Sequence, residues 1–265
     1  MNITWSAKQY KENFAFVPQY GNSVAELIDF SKAKTAIDLG CGNGTLTALL
    51  KEKGLLVTGV DASEEMIELA KKEHPDIAFR QSDATEFTVQ KKVDVIFSNA
   101  VFHWIDKEKQ QGMLRHISNA LNPGGQLVFE FGGYGCGERV HSTLEKVFAE
   151  YGYDYQRCFY FPTIGEYAPL VEKAGLIVKT ASLFDRPTPQ KGENGLKNWI
   201  KMFVKTPFEI IPDEATKEKI INETVDRLNN ELCIDGVWYI DYVRIRMRAD
   251  KPDEQQSKLL TTLLV

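Results

Sequence analysis

The stretch Thr35-Ala36-Ile37-Asp38-Leu39-Gly40-Cys41-Gly42-Asn43-Gly44 constrains the fold more than any other part of the chain. A short apolar run ends in a carboxylate, glycines follow at alternate positions, and Leu46-Thr47-Ala48-Leu49-Leu50-Lys51 reads as a helix. Strand, tight turn and helix start, in that order, form the unit at which open α/β sheets bind ligands. The glycines let the backbone turn sharply and come close to a bound molecule.

The spacing narrows the ligand. A dinucleotide fingerprint needs a third glycine three positions after the second, where Thr45 stands, and no Gly-Lys-Ser/Thr follows for a triphosphate loop. A carboxylate at the mouth of the loop, Asp38, would repel a pyrophosphate and attract a cation. Leu55-Leu56-Val57-Thr58-Gly59-Val60 reads as a second buried strand and ends in Asp61, an acid spaced to take both hydroxyls of a ribose. The implied ligand is a nucleoside that carries positive charge rather than phosphates. S-adenosylmethionine, with its sulfonium and ammonium, fits that description.

Asp38 to Gly44 resembles the first motif of class I S-adenosylmethionine-dependent methyltransferases, and Asp61 resembles the second. The resemblance implies an α/β, Rossmann-like, seven-stranded and mostly parallel sheet with helices on both faces and an antiparallel last strand. It implies cofactor contacts from Asp38, Gly40, Cys41, Gly42 and Gly44. Ser63 is a plausible helix cap, and Ala62 and Met66 stand where the family packs apolar side chains on adenine; plain helix core is the alternative for Met66. Asp83, after the strand Ile77-Ala78-Phe79-Arg80-Gln81, resembles the acid that accepts from the adenine amino group, with the Ala84 amide beside it; a solvated loop aspartate is the alternative.

Val93-Asp94-Val95-Ile96-Phe97-Ser98 is the fourth strand, and its C-terminal end faces the cleft. Ser98, Asn99 and Ala100 are expected beside the methionine part of the cofactor. Trp104 is placed to form an apolar wall by the sulfonium, where an aromatic face attracts a cation. His103 reads as a general base or as a neutral donor to the substrate, with a core-edge histidine as the bland reading. A helix over 110–120, the phrase Leu121-Asn122-Pro123-Gly124-Gly125 and a strand over 126–131 extend the family resemblance to residues 36–131. The loop Gly132-Gly133-Tyr134-Gly135-Cys136-Gly137 follows, with Glu130 and Tyr134 as polar handles.

Before the first strand, helices are expected over 6–16 and, capped by Asn22, over 23–30. The family resemblance makes Tyr10, Phe14 and Tyr20 candidates to line the pocket, with packing on the sheet as the alternative. Helices over 139–151 and 164–174 and a strand over 176–183 come later, and Pro187 and Pro189 then start an excursion with helices over 195–204 and 213–232. A strand over 237–246 closes the sheet. The expected organisation is a helical segment over the cofactor site (1–34), a methyltransferase domain (35–249) with a helical lid at about 187–232, and a tail (250–265).

Over 265 residues, a net charge of −5 with 26% charged residues argues against nucleic acid or an anionic membrane as partner. No apolar run approaches membrane-spanning length. Cys41, Cys136, Cys158 and Cys233 lack metal-ligand spacing and suit a reducing cytoplasm.

Methyl transfer from a sulfonium is an in-line displacement that needs alignment and exclusion of water rather than a catalytic triad. In the stretch Trp5 to Tyr20, the run Asn99-Ala100-Val101-Phe102-His103-Trp104 and the helical excursion, the chain looks most like the trans-aconitate methyltransferase relatives, which implies a carboxylate on a small acid as methyl acceptor. Arg139, Arg157, Arg186 and Arg244 are candidate anchors for that carboxylate, each with a surface ion pair as its alternative. A macromolecule, a carrier-bound acyl chain, or binding of the cofactor without catalysis are the competing readings.

Overall fold

A computed structural model of the chain describes residues 16–253. After α1 (Phe16–Ala25) come β1 (Thr35–Leu39), α2 (Thr45–Glu52), β2 (Leu56–Asp61), α3 (Glu64–Glu73), β3 (Ala78–Gln81) and β4 (Val93–Asn99). The chain continues through α4 (Lys107–Ala120), β5 (Leu121–Gly132), α5 (Glu138–Glu150), α6 (Ile164–Lys173) and β6 (Ile177–Pro189). It ends in α7 (Gly195–Phe203), α8 (Lys205–Phe208), α9 (Glu214–Leu232), β7 (Cys233–Ile234) and β8 (Val237–Asp250).

The strands line up as β3-β2-β1-β4-β5-β8-β6, with the two-residue β7 on β8. The first five run parallel, and β8 is antiparallel to both β5 and β6. Strand order reverses between β1 and β4, so the crevice at their C-terminal ends is where such a sheet takes a ligand. Alternation along the strands feeds two cores. Val95, Phe97 and Val128 pack with Val24, Ala25, Leu46 and Leu50 under α1 and α2. Ile96, Leu127, Phe129 and Phe131 pack with Met113, Leu114, Ile117, Tyr167 and Val171 under α4 and α6.

The insertion before β7 shares a third core with α5. Val140, Leu144 and Phe148 interlock with Leu196, Trp199, Ile200, Phe208, Ile220 and Leu228. Burial of this many large apolar side chains, each worth about 1.5–3 kcal/mol, makes it a built wall of the domain.

Three expectations change. The helix expected over 23–30 runs instead from Phe16 to Ala25 and places exposed Asn22 inside it. A separate turn, Phe30–Lys32, is capped by the Asp29 side chain. The earlier helix over 6–16 lies outside the described residues up to Phe16, as do Tyr10 and Phe14.

The excursion begins after Pro189, not at Pro187, because β6 is the sheet's edge strand and its prolines need no outer ladder partner. The tail expected from residue 250 is anchored at its start. Asp250 pairs with Gln126 and Ile177, and Lys251 Nζ donates to the carbonyls of Ser118 and Leu121 at 2.6 and 3.0 Å.

Candidate functional site

A cavity of about 520 Å³ opens at the C-terminal ends of β1, β2, β3 and β4, a size that encloses a small ligand. Of the residues singled out in the sequence, Gly40, Gly42, Asp61, Ala62, Met66, Asp83, Ala84, Asn99, Ala100, His103 and Trp104 line it. Asp38, Cys41, Gly44 and Ser98 do not.

Each of these four has a structural reason. Asp38 is 1% exposed, accepts from Thr47 Oγ1 at 2.7 Å, and has its carboxyl pushed up to about 7 by burial. It therefore does not stand at the loop's mouth. The Cys41 thiol packs beneath the loop against Ile67, Ala70 and Phe79, and burial pushes it far up. Gly44 caps α2, and a Cβ there would crowd Phe79 and His74 rather than the cavity. Ser98 Oγ donates to the Leu39 carbonyl at 2.8 Å and braces β4 against β1.

The glycine loop is held from below and open above. Gly40 has φ 79°, and a Cβ on it would collide with Val101; Gly42 has φ 53°, and a Cβ there would meet nothing within 4 Å. Asp61 ties the loop down: Oδ2 accepts from Gly42 N at 2.8 Å and Oδ1 from Ser63 N at 2.9 Å. Burial raises its carboxyl above the usual range against these bonds. Asp83 Oδ1 accepts from Thr85 N and Oγ1 at 2.8 and 2.7 Å; these bonds outweigh burial and lower its carboxyl. Met66 is the residue whose N–H reaches Ser63 Oγ at 3.3 Å, the N-cap of α3. Ala100 sits at φ 61° with its N–H donating to the Glu130 carbonyl at 2.7 Å, a left-handed conformation rare for alanine at the rim of a site.

The other end of the cavity was expected only in part, through His103, Trp104, Arg244 and the helical lid. It is walled by Phe159, Phe161, Trp199, Phe203 and Tyr242, beside His103 and Trp104, with Cys136, Gly137, His141 and Arg244 between them. Trp104 stands edge-on to Phe159, ring centroids 4.8 Å apart, so it belongs to this aromatic end. Phe159 and Phe161 stack at 5.3 Å and 10°, and both His103 and His141 lie within 6.2 Å of each ring. A Cβ on Gly132 would collide with Phe161.

His103 is 8% exposed and accepts from the Gly132 N–H through Nδ1 at 3.3 Å. Burial, then the Arg244 charge, holds its pKa well below the ordinary value, so the ring is neutral with its proton on Nε2.

The four arginine candidates separate. Arg157 pairs with Glu138 and Glu145 on the surface, and Arg139 Nη1 lies 3.4 Å from the Glu231 carbonyl, also exposed. Arg186 and Arg246 both grip the buried Glu130, which removes Glu130 as a handle of the glycine-rich loop. Tyr20 lies over the Arg186 guanidinium at 4.6 Å, away from the cavity lining, and Tyr134 is exposed. Arg244 is 9% exposed, stacks on Tyr242 at 4.2 Å, has no partner for Nε, and pairs with no carboxylate among the described residues. Its sequence signal was faint: an arginine in register with the inward-facing Trp238, Ile240 and Tyr242 of β8.

The cavity is thus polarised. Asp61 and Asp83 line it after their strands and Glu64 and Glu65 at the start of α3; Lys109, the one cation there among the described residues, is 3.4 Å from Asp106. Among the described residues, the aromatic end holds a guanidinium and no carboxylate. An acidic end with an open glycine loop suits a cationic nucleoside, and a buried guanidinium suits an anion.

Comparison with known proteins agrees with this architecture. Residues 36–125 match the family model described as a methyltransferase domain. An uncharacterized methyltransferase of Schizosaccharomyces pombe is 29% identical over 260 residues, covering 93% of this chain and 98% of the relative. A trans-aconitate 2-methyltransferase of Rhizobium leguminosarum bv. trifolii is 24% identical over 262 residues, covering 94% and 100%. The crystal structure of a methyltransferase from Bacillus halodurans, itself assigned only by likeness, superposes with a TM-score of 0.60 at 15% identity, covering 87% of this chain and 98% of that one. No helix among the described residues is long and apolar enough to cross a membrane. Residues 36–125 form a methyltransferase domain, and the chain is an S-adenosylmethionine-dependent methyltransferase with S-adenosyl-L-methionine as its methyl donor.

Proposed function

We propose that this enzyme methylates a carboxylate oxygen of a small organic acid. The observation that carries the reading is Arg244, a guanidinium buried in the aromatic end of the cavity with no carboxylate among the described residues to neutralise it. Such a group is costly unless a ligand supplies the counter-charge, and a carboxylate does so with two parallel hydrogen bonds. The relatives named trans-aconitate 2-methyltransferase act on an acid, which supports the same class.

In this reading the donor lies at the acidic end. Gly40 and Gly42 give it room, Asp61 takes the ribose hydroxyls, Ala62 and Met66 flank the adenine, and Asp83 with Ala84 serves its edge. Asn99 and Ala100 border the methionine part. When bound, S-adenosylmethionine supplies a methyl group already activated as a sulfonium. The chain's own residues then align the acceptor, exclude water and neutralise charge.

A carboxylate is ionised at neutral pH and needs no base. This agrees with a neutral His103 whose Nε2–H donates, and it assigns His103 to orienting the acceptor rather than deprotonating it. The insertion closes the acceptor side through Trp199 and Phe203.

The test is to incubate the enzyme with methyl-labelled donor and panels of small acids, alcohols and amines. A methyl ester that releases labelled methanol in alkali is expected from an acid. Label found only in alkali-stable products would contradict the proposal.

A further inference from the structure

His141 is a second buried polar group at the aromatic end that methyl transfer to a carboxylate does not by itself require. It is 2% exposed, lines the cavity, and its Nε2 has no hydrogen-bond partner. Its Nδ1 lies 2.6 Å from the hydroxyl of Tyr155, itself 7% exposed.

The pair has a definite proton arrangement. Among the described residues the Tyr155 hydroxyl has no other acceptor, so its O–H donates to Nδ1; the reverse arrangement would orphan a buried hydroxyl proton. The imidazole proton then sits on Nε2, the unpartnered atom. Burial depresses the pKa of the ring to about 4, so it is neutral at physiological pH. Arg157, the surface cation whose charge acts on the ring, is already paired with Glu138 and Glu145.

We infer that His141 Nε2–H recognises an uncharged oxygen of the acceptor, a carbonyl or hydroxyl separate from the carboxylate held by Arg244. The inference rests on the acid reading above and narrows it to oxo- or hydroxy-acids. A neutral N–H satisfies a neutral oxygen, whereas a second carboxylate there would be desolvated without a counter-charge. Tyr155 is the positioning residue, since it fixes the tautomer. Phe159 and Phe161, stacked between the two histidines, leave the acceptor's carbon skeleton an apolar path.

The experiment compares matched acids of equal length: unsubstituted, oxo-substituted, hydroxy-substituted and dicarboxylic. Methyl transfer is measured on wild type, His141→Phe and Tyr155→Phe, alongside calorimetric binding of each acid to the protein saturated with S-adenosylhomocysteine. Wild type is expected to favour an oxo- or hydroxy-acid over both the unsubstituted acid and the diacid by about tenfold in kcat/KM. His141→Phe should abolish that preference through KM, and Tyr155→Phe should weaken it. Wild-type preference for the diacid or the plain acid overturns the inference without any variant, as does a preference that survives His141→Phe. If no acid is bound or methylated by wild type, the acid reading itself falls and this inference with it.

Discussion

The backbone N–H of Gly132 donates to Nδ1 of His103 at 3.3 Å, and this bond decides what the histidine can do. It leaves the proton on Nε2 and, with burial, keeps the ring neutral, so His103 faces the cavity as a donor. His103→Phe is expected to lower kcat/KM for the acid by about tenfold or more, the worth of one buried hydrogen bond, with affinity for S-adenosylhomocysteine nearly unchanged. The kcat profile should show no inflection between pH 6 and 7 from this residue, read as initial rates across about pH 5.5–8.5. A profile that rises with a pKa near 6.5 and flattens in the variant would return His103 to the role of base.

Asp61 both holds the glycine loop and faces the cavity. Asp61→Ala should therefore weaken donor binding by about 1.5–3 kcal/mol, some ten- to a hundredfold in Kd by calorimetry. Unchanged affinity would remove Asp61 from the ribose.

Gly40 and Gly42 make a matched pair with opposite outcomes. Gly40→Ala forces a Cβ into Val101 at positive φ and should destabilise the fold by about 1–3 kcal/mol in chemical denaturation. Gly42→Val meets no protein atom at its Cβ, so it should cost donor affinity well beyond its backbone strain of about 1–2 kcal/mol. Normal binding in Gly42→Val would place the donor elsewhere.

His141 gives a pH signature of its own. Burial first, then Arg157, depresses its pKa to about 4, with Glu138 opposing. The unfolded chain takes up this proton near pH 6.5, so the stabilising contribution is complete above that value and is lost as pH falls toward 4. Relative to His141→Gln, wild type should lose about 3 kcal/mol between pH 7.5 and pH 4 in paired denaturation curves. Parallel curves for the two proteins would show that His141 is not buried neutral.

The parallel half of the sheet was legible because its signals are local. Apolar runs followed by Asp61, Asp83 and Asn99 place acids and an amide at or just past the strand ends, and the Gly40 to Gly44 loop fixes the direction of the first crossover. Which of those residues face the cavity was not legible, because that depends on the strand's alternation and on the loop's underside. Cys41 and Gly44 turn inward toward α3 and β3, while Gly42 turns out.

The acceptor end was legible only in outline, as a lid over about 187–232 and one of four candidate arginines, and for a different reason. Arg244, His141, Phe159 and Trp199 come from β8, α5, a connecting loop and α7, and only long-range pairing of β8 with β5 and β6 brings them together. Arg244 looked like the paired surface arginines until its neighbours were known. The length of β6 was misjudged because prolines at 187 and 189 end a central strand and not an edge strand.

The most direct test of the account is methyl transfer to an acid by wild type and Arg244→Gln, measured with donor affinity in the same preparations. The account predicts that loss of the guanidinium raises KM for the acid by roughly 100-fold, about 3 kcal/mol, while S-adenosylhomocysteine binds as before. Equal KM values for the two proteins would contradict it and leave the buried guanidinium of Arg244 without a substrate to hold.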